Sequence, residues 1–184
     1  SATPVTPSVC SGLVTNIKLT SSIPAATFSW VVKSSTNATG ATPGTGAVIA
    51  QALTATTASP GSVVYTITPK SFTCDGAPID VTVVVNPNPT TVVTIPAMDD
   101  TICSTELTNL HLTSPSAGTT FTWTVNQVGV SGAINGSGTD TGSGVDIKQA
   151  LTSIGTSPGK AIYTITGSGP ASGCSGSTTV DSVI

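Results

Sequence analysis

The chain has no arginine and only five lysines, and charged residues make up 7% of its 184 positions, against the usual quarter. Recognition of a phosphate backbone needs clustered Lys and Arg, so nucleic acid is excluded as a partner. There is one histidine, His111, so neither a Ser-His-Asp set nor a zinc site built on paired CxxC and His ligands can be assembled. Apolar runs are only a few residues long, far short of the ~20 residues that span a bilayer, and no membrane insertion is expected. Aromatics amount to 4%, too few for a sugar-stacking platform. Nothing at Ser1 reads as a basic-plus-apolar export leader, so an exported protein would carry this segment as its mature part or as a fragment.

What fills the chain is hydroxyl: 35 Thr and 24 Ser. They alternate with apolar residues, as in VVYTIT (Val63–Thr68). Period-two alternation marks half-buried strands, and Thr suits the outer face because it is β-branched yet polar. The four cysteines form no CxxC pair, which points to disulfides in an oxidising compartment.

The chain repeats itself. TNIKLTS (Thr15–Ser21) returns as TNLHLTS (Thr108–Ser114), and FSWVV (Phe28–Val32) as FTWTV (Phe121–Val125), both 93 positions on. IAQALT (Ile49–Thr54) returns as IKQALT (Ile147–Thr152), and YTIT (Tyr65–Thr68) as YTIT (Tyr163–Thr166), both 98 positions on. Cys10 matches Cys103, and Cys74 matches Cys174. The extra length falls in the Gly/Ser-rich segment Gly132–Gly144, as expected where a loop absorbs an insertion. Pro87 and Pro89 mark a linker, giving domains 1–89 and 90–184, each of about the size of an immunoglobulin-like sandwich.

Within the first copy, Leu13–Ser21 reads as a strand with Val14, Ile17 and Leu19 toward the core, followed by Ala26–Lys33 with Phe28, Trp30 and Val32 on one face. Ala47–Thr54 fits a strand or a short helix. Ser62–Pro69 and Ile79–Val85 are strands around a hairpin turn at Cys74–Pro78. Short strands at regular spacing predict an all-β fold of two tandem sandwiches. The predicted bridges are Cys10–Cys74 and Cys103–Cys174, each worth roughly 4 kcal/mol by loop closure.

Cys10-Ser11-Gly12, Phe121-Thr122-Trp123-Thr124, Ile147–Leu151, Pro158-Gly159, Tyr163–Thr166, Gly173–Gly176 and Val85–Pro89 together resemble the PKD-like repeats of secreted and surface proteins in Bacteroidetes. The resemblance covers nearly the whole chain, twice. It implies immunoglobulin-like sandwiches of the kind found in long arrays on large adhesins and gliding-related proteins, exported by the type IX system. The sorting domain usual for that route is not in this segment. The second copy stops after Ser177–Ile184 without the Val-Asn-Pro linker, which fits either a piece of an array or an edge completed by a neighbour.

Few residues are left to carry chemistry. Asp99, Asp100 and Glu106 are candidate calcium ligands between the copies, since calcium wants converging oxygens. Asp140 and Asp146 flank the Gly-rich insertion and read as solvated loop residues. Gly136–Gly144 lacks the Lys and helix of a phosphate loop. His111 stands where the first copy has Lys18, and reads as a solvent-facing strand residue. Thr101 and Ser182 follow Asp in Asp-Thr-Ile and Asp-Ser-Val, the form of the O-glycosylation motif of that phylum; the Asn37 and Asn135 sequons read as chance. No Lys is placed for an isopeptide crosslink. Phe72 is the sole aromatic without a repeat counterpart. The chain is therefore expected to be a non-catalytic extracellular structural or adhesive module, with no cofactor unless calcium binds at Asp99, Asp100 and Glu106. Its expected partners are neighbouring copies or domains of an array, or surface glycans and proteins. A self-assembling filament subunit is the alternative, and a carbohydrate-binding module a third reading.

Overall fold

A computed structural model describes residues 7–94, 101–169 and 174–184. No helix occurs among the described residues. The chain divides into two compact units, Ser1–Pro87 and Asn88–Ile184.

Among its described residues, unit 1 holds ten strands: β1 (Ser8–Cys10), β2 (Ile17–Lys18), β3 (Thr27–Thr36), β4 (Ala38–Thr39), β5 (Gly44–Thr45), β6 (Val48–Ile49), β7 (Thr54–Ala55), β8 (Gly61–Ser71), β9 (Cys74–Asp75) and β10 (Ile79–Asn86). The main sheet runs β1-β10-β8-β3-β5, with β9 folded back on β8. Short pairs β2–β6 and β4–β7, with the bridge Val14–Ala52, make the facing layer. Alternation drives this packing: Val63, Tyr65 and Ile67 of β8 and Val81, Val83 and Val85 of β10 point inward, against Trp30, Ile49 and Leu53.

Unit 2 repeats the plan with β11 (Val92–Thr94), β12 (Leu110–Thr113), β13 (Thr120–Val128), β14 (Val130–Ser131), β15 (Gly136–Thr139), β16 (Val145–Ile147), β17 (Thr152–Ser153), β18 (Lys160–Ser168) and β19 (Ser175–Val183). Its sheets are β15-β13-β18-β19, β11-β12-β16 and β14-β17. Leu110, Leu112, Phe121, Trp123, Ile147, Tyr163 and Ile165 form its core.

Two local expectations change and one open alternative is decided. Val14 is 59% exposed, and Thr15 takes the inward place instead. A buried hydroxyl is tolerated there because it donates to the Ile49 carbonyl at 2.8 Å and accepts from the Gln51 N–H at 3.0 Å. The Ala47–Thr54 segment is extended, not helical. The tight turn lies at Phe72–Thr73, because Cys74 already pairs with Ser71.

Candidate functional site

The cysteines are placed by strand register. Cys10 lies beside Asn86 at the end of β10, and Val85 of that strand faces Gly61, the first residue of β8. Cys74 faces Ser71, the last residue of β8. The two are thus a strand length apart, roughly 30 Å at 3.3 Å per residue, whereas a disulfide needs Cα atoms within about 7 Å. In unit 2 the N–H of Ile102, next to Cys103, donates to the carbonyl of Ile184 at 2.9 Å. Cys174 instead precedes β19 at its other end, its carbonyl accepting from the Gly169 N–H at 2.8 Å. The predicted bridges Cys10–Cys74 and Cys103–Cys174 are therefore both corrected: repeat matching ignored which end of the sheet each cysteine occupies. In unit 1, Cys10 is disulfide-bonded and Cys74 is a free, exposed thiol. In unit 2, Cys174 is disulfide-bonded and Cys103 is free and exposed.

The turn after each starting cysteine needs a left-handed residue. Unit 1 supplies Gly12 with φ 86°, and unit 2 puts Thr105 there with φ 78°. A β-branched residue in that region is strained. The Cys103 turn is held by Glu106, whose Oε2 accepts from the Cys103 N–H at 2.6 Å. Glu106 thus spends its carboxylate on the backbone, while Asp99 and Asp100 lie outside the described residues. No group of three or more His, Cys, Asp or Glu capable of holding a metal occurs among the described residues.

Beside Cys103 is a pocket of about 200 Å³, lined chiefly by apolar atoms of Ile102, Val130, Leu151, Pro158 and Ile184. At the other end of unit 1's sheet, Phe72 is 93% exposed and adopts φ 55°.

The repeated glutamine is the residue that sequence reasoning passed over. Gln51 Oε1 accepts from the Tyr65 hydroxyl at 2.7 Å and from the Thr42 N–H at 3.0 Å. Its Nε2 donates to the Thr42 carbonyl at 2.7 Å and hydroxyl at 2.9 Å. The Trp30 indole donates to that same carbonyl at 3.1 Å. Unit 2 reproduces the knot: Gln149 Oε1 accepts from the Tyr163 hydroxyl at 3.0 Å and the Ile134 N–H at 3.1 Å. Its Nε2 donates to the Ile134 carbonyl at 2.8 Å, which the Trp123 indole also reaches at 3.2 Å. Burial holds both tyrosine hydroxyls above their ordinary titration range. The shared spacing of Trp, Gln and Tyr in both copies was the signal: buried Trp and Tyr need polar partners.

The charged residues pair locally. His111 Nδ1 lies 2.6 Å from Asp146 Oδ1, and Lys148 Nζ is 3.0 Å from Asp146 Oδ2. His111 is half-exposed and faces Asp146 across β12 and β16, a cross-strand pair in place of a bare solvated side chain. Its ring and the Lys148 ammonium keep the Asp146 carboxyl below its ordinary range. Asp140 departs from the expected loop solvation. It is buried and accepts from the N–H groups of Gly142 at 2.7 Å, Gly144 at 2.9 Å and Ser114 at 3.3 Å. Those glycine N–H groups lower its pKa. In unit 1, Lys33 and Thr66 converge on Asp80 and lower its pKa as well. Thr101 is exposed, whereas Ser182 is half-buried within β19 opposite Ile162. Asn135 Oδ1 accepts from the Val125 N–H at 2.8 Å, which gives that sequon a structural duty.

No curated protein matches the chain. A family model described as the PKD-like domain matches residues 7–89 and again 100–183. Two consecutive matches spanning most of the sequence, on two units that share a four-strand order (β10-β8-β3-β5 and β19-β18-β13-β15), cysteine placement and the Trp–Gln–Tyr knot, show that the chain belongs to the PKD-like domain family as a tandem pair.

Proposed function

We propose that the chain is an extracellular structural module of a cell-surface protein or array, which works by holding its neighbours apart and in line. PKD-like domains are generally non-catalytic and typically extracellular. The observation that carries the reading is how the motif residues are employed. Thr15, Gln51, Tyr65 and Trp30, with Thr108, Gln149, Tyr163 and Trp123, direct their polar atoms at one another and at the backbone of their own unit. A binding or catalytic protein keeps some polar groups aimed at an open cleft, and here these recurrent groups serve the fold. The buried aromatics speak against the carbohydrate-binding reading, since a sugar platform needs exposed rings and Phe72 alone is fully exposed. Adhesion through loop tips to surface proteins or glycans, and O-glycosylation at Thr101 or Ser182, accompany the surface location in this reading. A filament subunit is the second reading, favoured by the free thiol and exposed apolar surface at the ends of the sheets. Negative-stain microscopy of native material beside light scattering of the isolated chain tests the proposal. Elongated strings support it, and compact particles with a saturable small ligand would sink it.

A further inference from the structure

Each unit leaves one thiol free, and the surroundings of the two thiols are complementary. Cys74 projects from the β8–β9 hairpin beside Phe72, whose ring is 93% exposed on a residue with φ 55°. Such an aromatic contributes nothing to the core of unit 1, and bulky residues rarely adopt that backbone region. Cys103 lines the 200 Å³ pocket of unit 2, where Ile102, Val130, Leu151, Pro158 and Ile184 offer apolar walls. A surface that exposes an apolar knob and an apolar hole with a thiol beside each is suited to heterologous, head-to-tail contact between copies.

The repeat supplies an independent argument. Cys74 is the counterpart of Cys174, and Cys103 of Cys10. Both counterparts are disulfide-bonded, so a starting cysteine and a hairpin cysteine of this repeat each sit where a disulfide can form. The two that stay free, Cys103 and Cys74, are one of each kind.

We propose that the Phe72–Cys74 tip of one copy seats in the Cys103 pocket of a second copy, and that Cys74 and Cys103 then join in an intermolecular disulfide. The oxidant is a low-molecular-weight disulfide, RSSR. The Cys74 thiolate attacks one of its sulfurs and expels RS⁻, leaving a mixed disulfide. The Cys103 thiolate of the second copy attacks the Cys74 sulfur, forms the Cys74–Cys103 bond and expels the second RS⁻. Two protein thiols lose two electrons and two protons, and RSSR becomes two RSH. Because each copy has one of each thiol, every product still carries one of each and further copies can add. This goes beyond the structural role, which needs neither thiol, so its failure leaves that role standing.

The test uses the 184-residue chain purified without reductant and mixed with oxidised glutathione. Native thiol titration should find two thiols per chain before oxidation. A non-reducing denaturing gel should then show a ladder that reductant collapses to one band, and mass spectrometry should find Cys74 peptides joined to Cys103 peptides. C74S and C103S should each give no ladder, while their equimolar mixture gives dimers and nothing longer. F72N keeps both thiols and suits a left-handed turn; it should slow dimer formation about tenfold by weakening docking. A product that stays monomeric, a Cys74–Cys103 link within one chain, or like-to-like pairs would overturn the proposal. An F72N rate equal to that of the parent would overturn the docking on which its selectivity rests.

Discussion

Replacing Gln149 by Leu tests whether the recurrent polar residues belong to the fold. Gln149 makes three hydrogen bonds, to the Tyr163 hydroxyl at 3.0 Å and to the Ile134 N–H and carbonyl at 3.1 and 2.8 Å. At a net 0.5–1.5 kcal/mol each, their sum is about 3 kcal/mol. The amide is only half-buried, so water replaces part of it, and the expected loss is about 2 kcal/mol. Leu preserves volume, so the loss reports hydrogen bonding more than a cavity. Tyr163→Phe removes one of these bonds and should cost about 1 kcal/mol. The double variant should then lose less than the sum, by about 1 kcal/mol, because both changes delete the same contact. Gln51→Leu should cost more than Gln149→Leu, since Gln51 also donates to the Thr42 hydroxyl. Urea unfolding of the whole chain followed by tryptophan fluorescence measures this. Each unit has a single Trp, so the Trp30→Phe or Trp123→Phe background isolates the other unit. Midpoints unchanged within about 0.5 kcal/mol in both units would refute the reasoning, because they would release the glutamines for a role outside the fold.

Thr105→Gly should stabilise unit 2 by about 1 kcal/mol by relieving a β-branched residue at φ 78°; thermal unfolding would show the rise, and Gly12→Thr in unit 1 should do the reverse. Gly136→Ala should destabilise by about 1–3 kcal/mol, because a Cβ there meets the Trp123 ring at 2.5 Å; Gly44→Ala meets Trp30 in the same way at 2.7 Å. Asp140 has a lowered folded-state pKa because the Gly142 and Gly144 N–H groups hold its charged form. Its stabilisation is therefore fully present above the ordinary value of 3.8 and is lost as pH falls through the lower folded value. Acid unfolding monitored by Trp123 should show this loss below about pH 4 in the parent chain, and Asp140→Ala should flatten that part of the profile.

The all-β content and the two-copy plan were legible because alternation and repetition are local, additive signals. Trp30, on one face with Phe28 and Val32, could be assigned to the core from spacing alone. Thr15 could not, since Val14 beside it is the better apolar residue, and only the carbonyl of Ile49 and the N–H of Gln51 make an inward hydroxyl acceptable. The cysteine pairing failed for a topological reason. Linear spacing shows that Cys10 and Cys74 bracket a repeat, but β10 returns the chain to the Cys10 end while β9 leaves Cys74 at the other. Asp140 looked like a loop carboxylate because its partners are backbone N–H groups, which no side-chain pattern reveals. Phe72 stood out in the sequence only as an aromatic without a counterpart, and its exposure gave that oddity a physical meaning.

The central claim is that this tandem pair is a building element that acts by being joined to neighbours. Native material isolated without reductant and viewed by negative-stain microscopy, with light scattering on the same sample, tests it most directly. The account predicts strings of beads extending over many units, and a scattering mass well above that of one chain. Discrete particles at the mass of a single chain, attached to nothing larger, would contradict it.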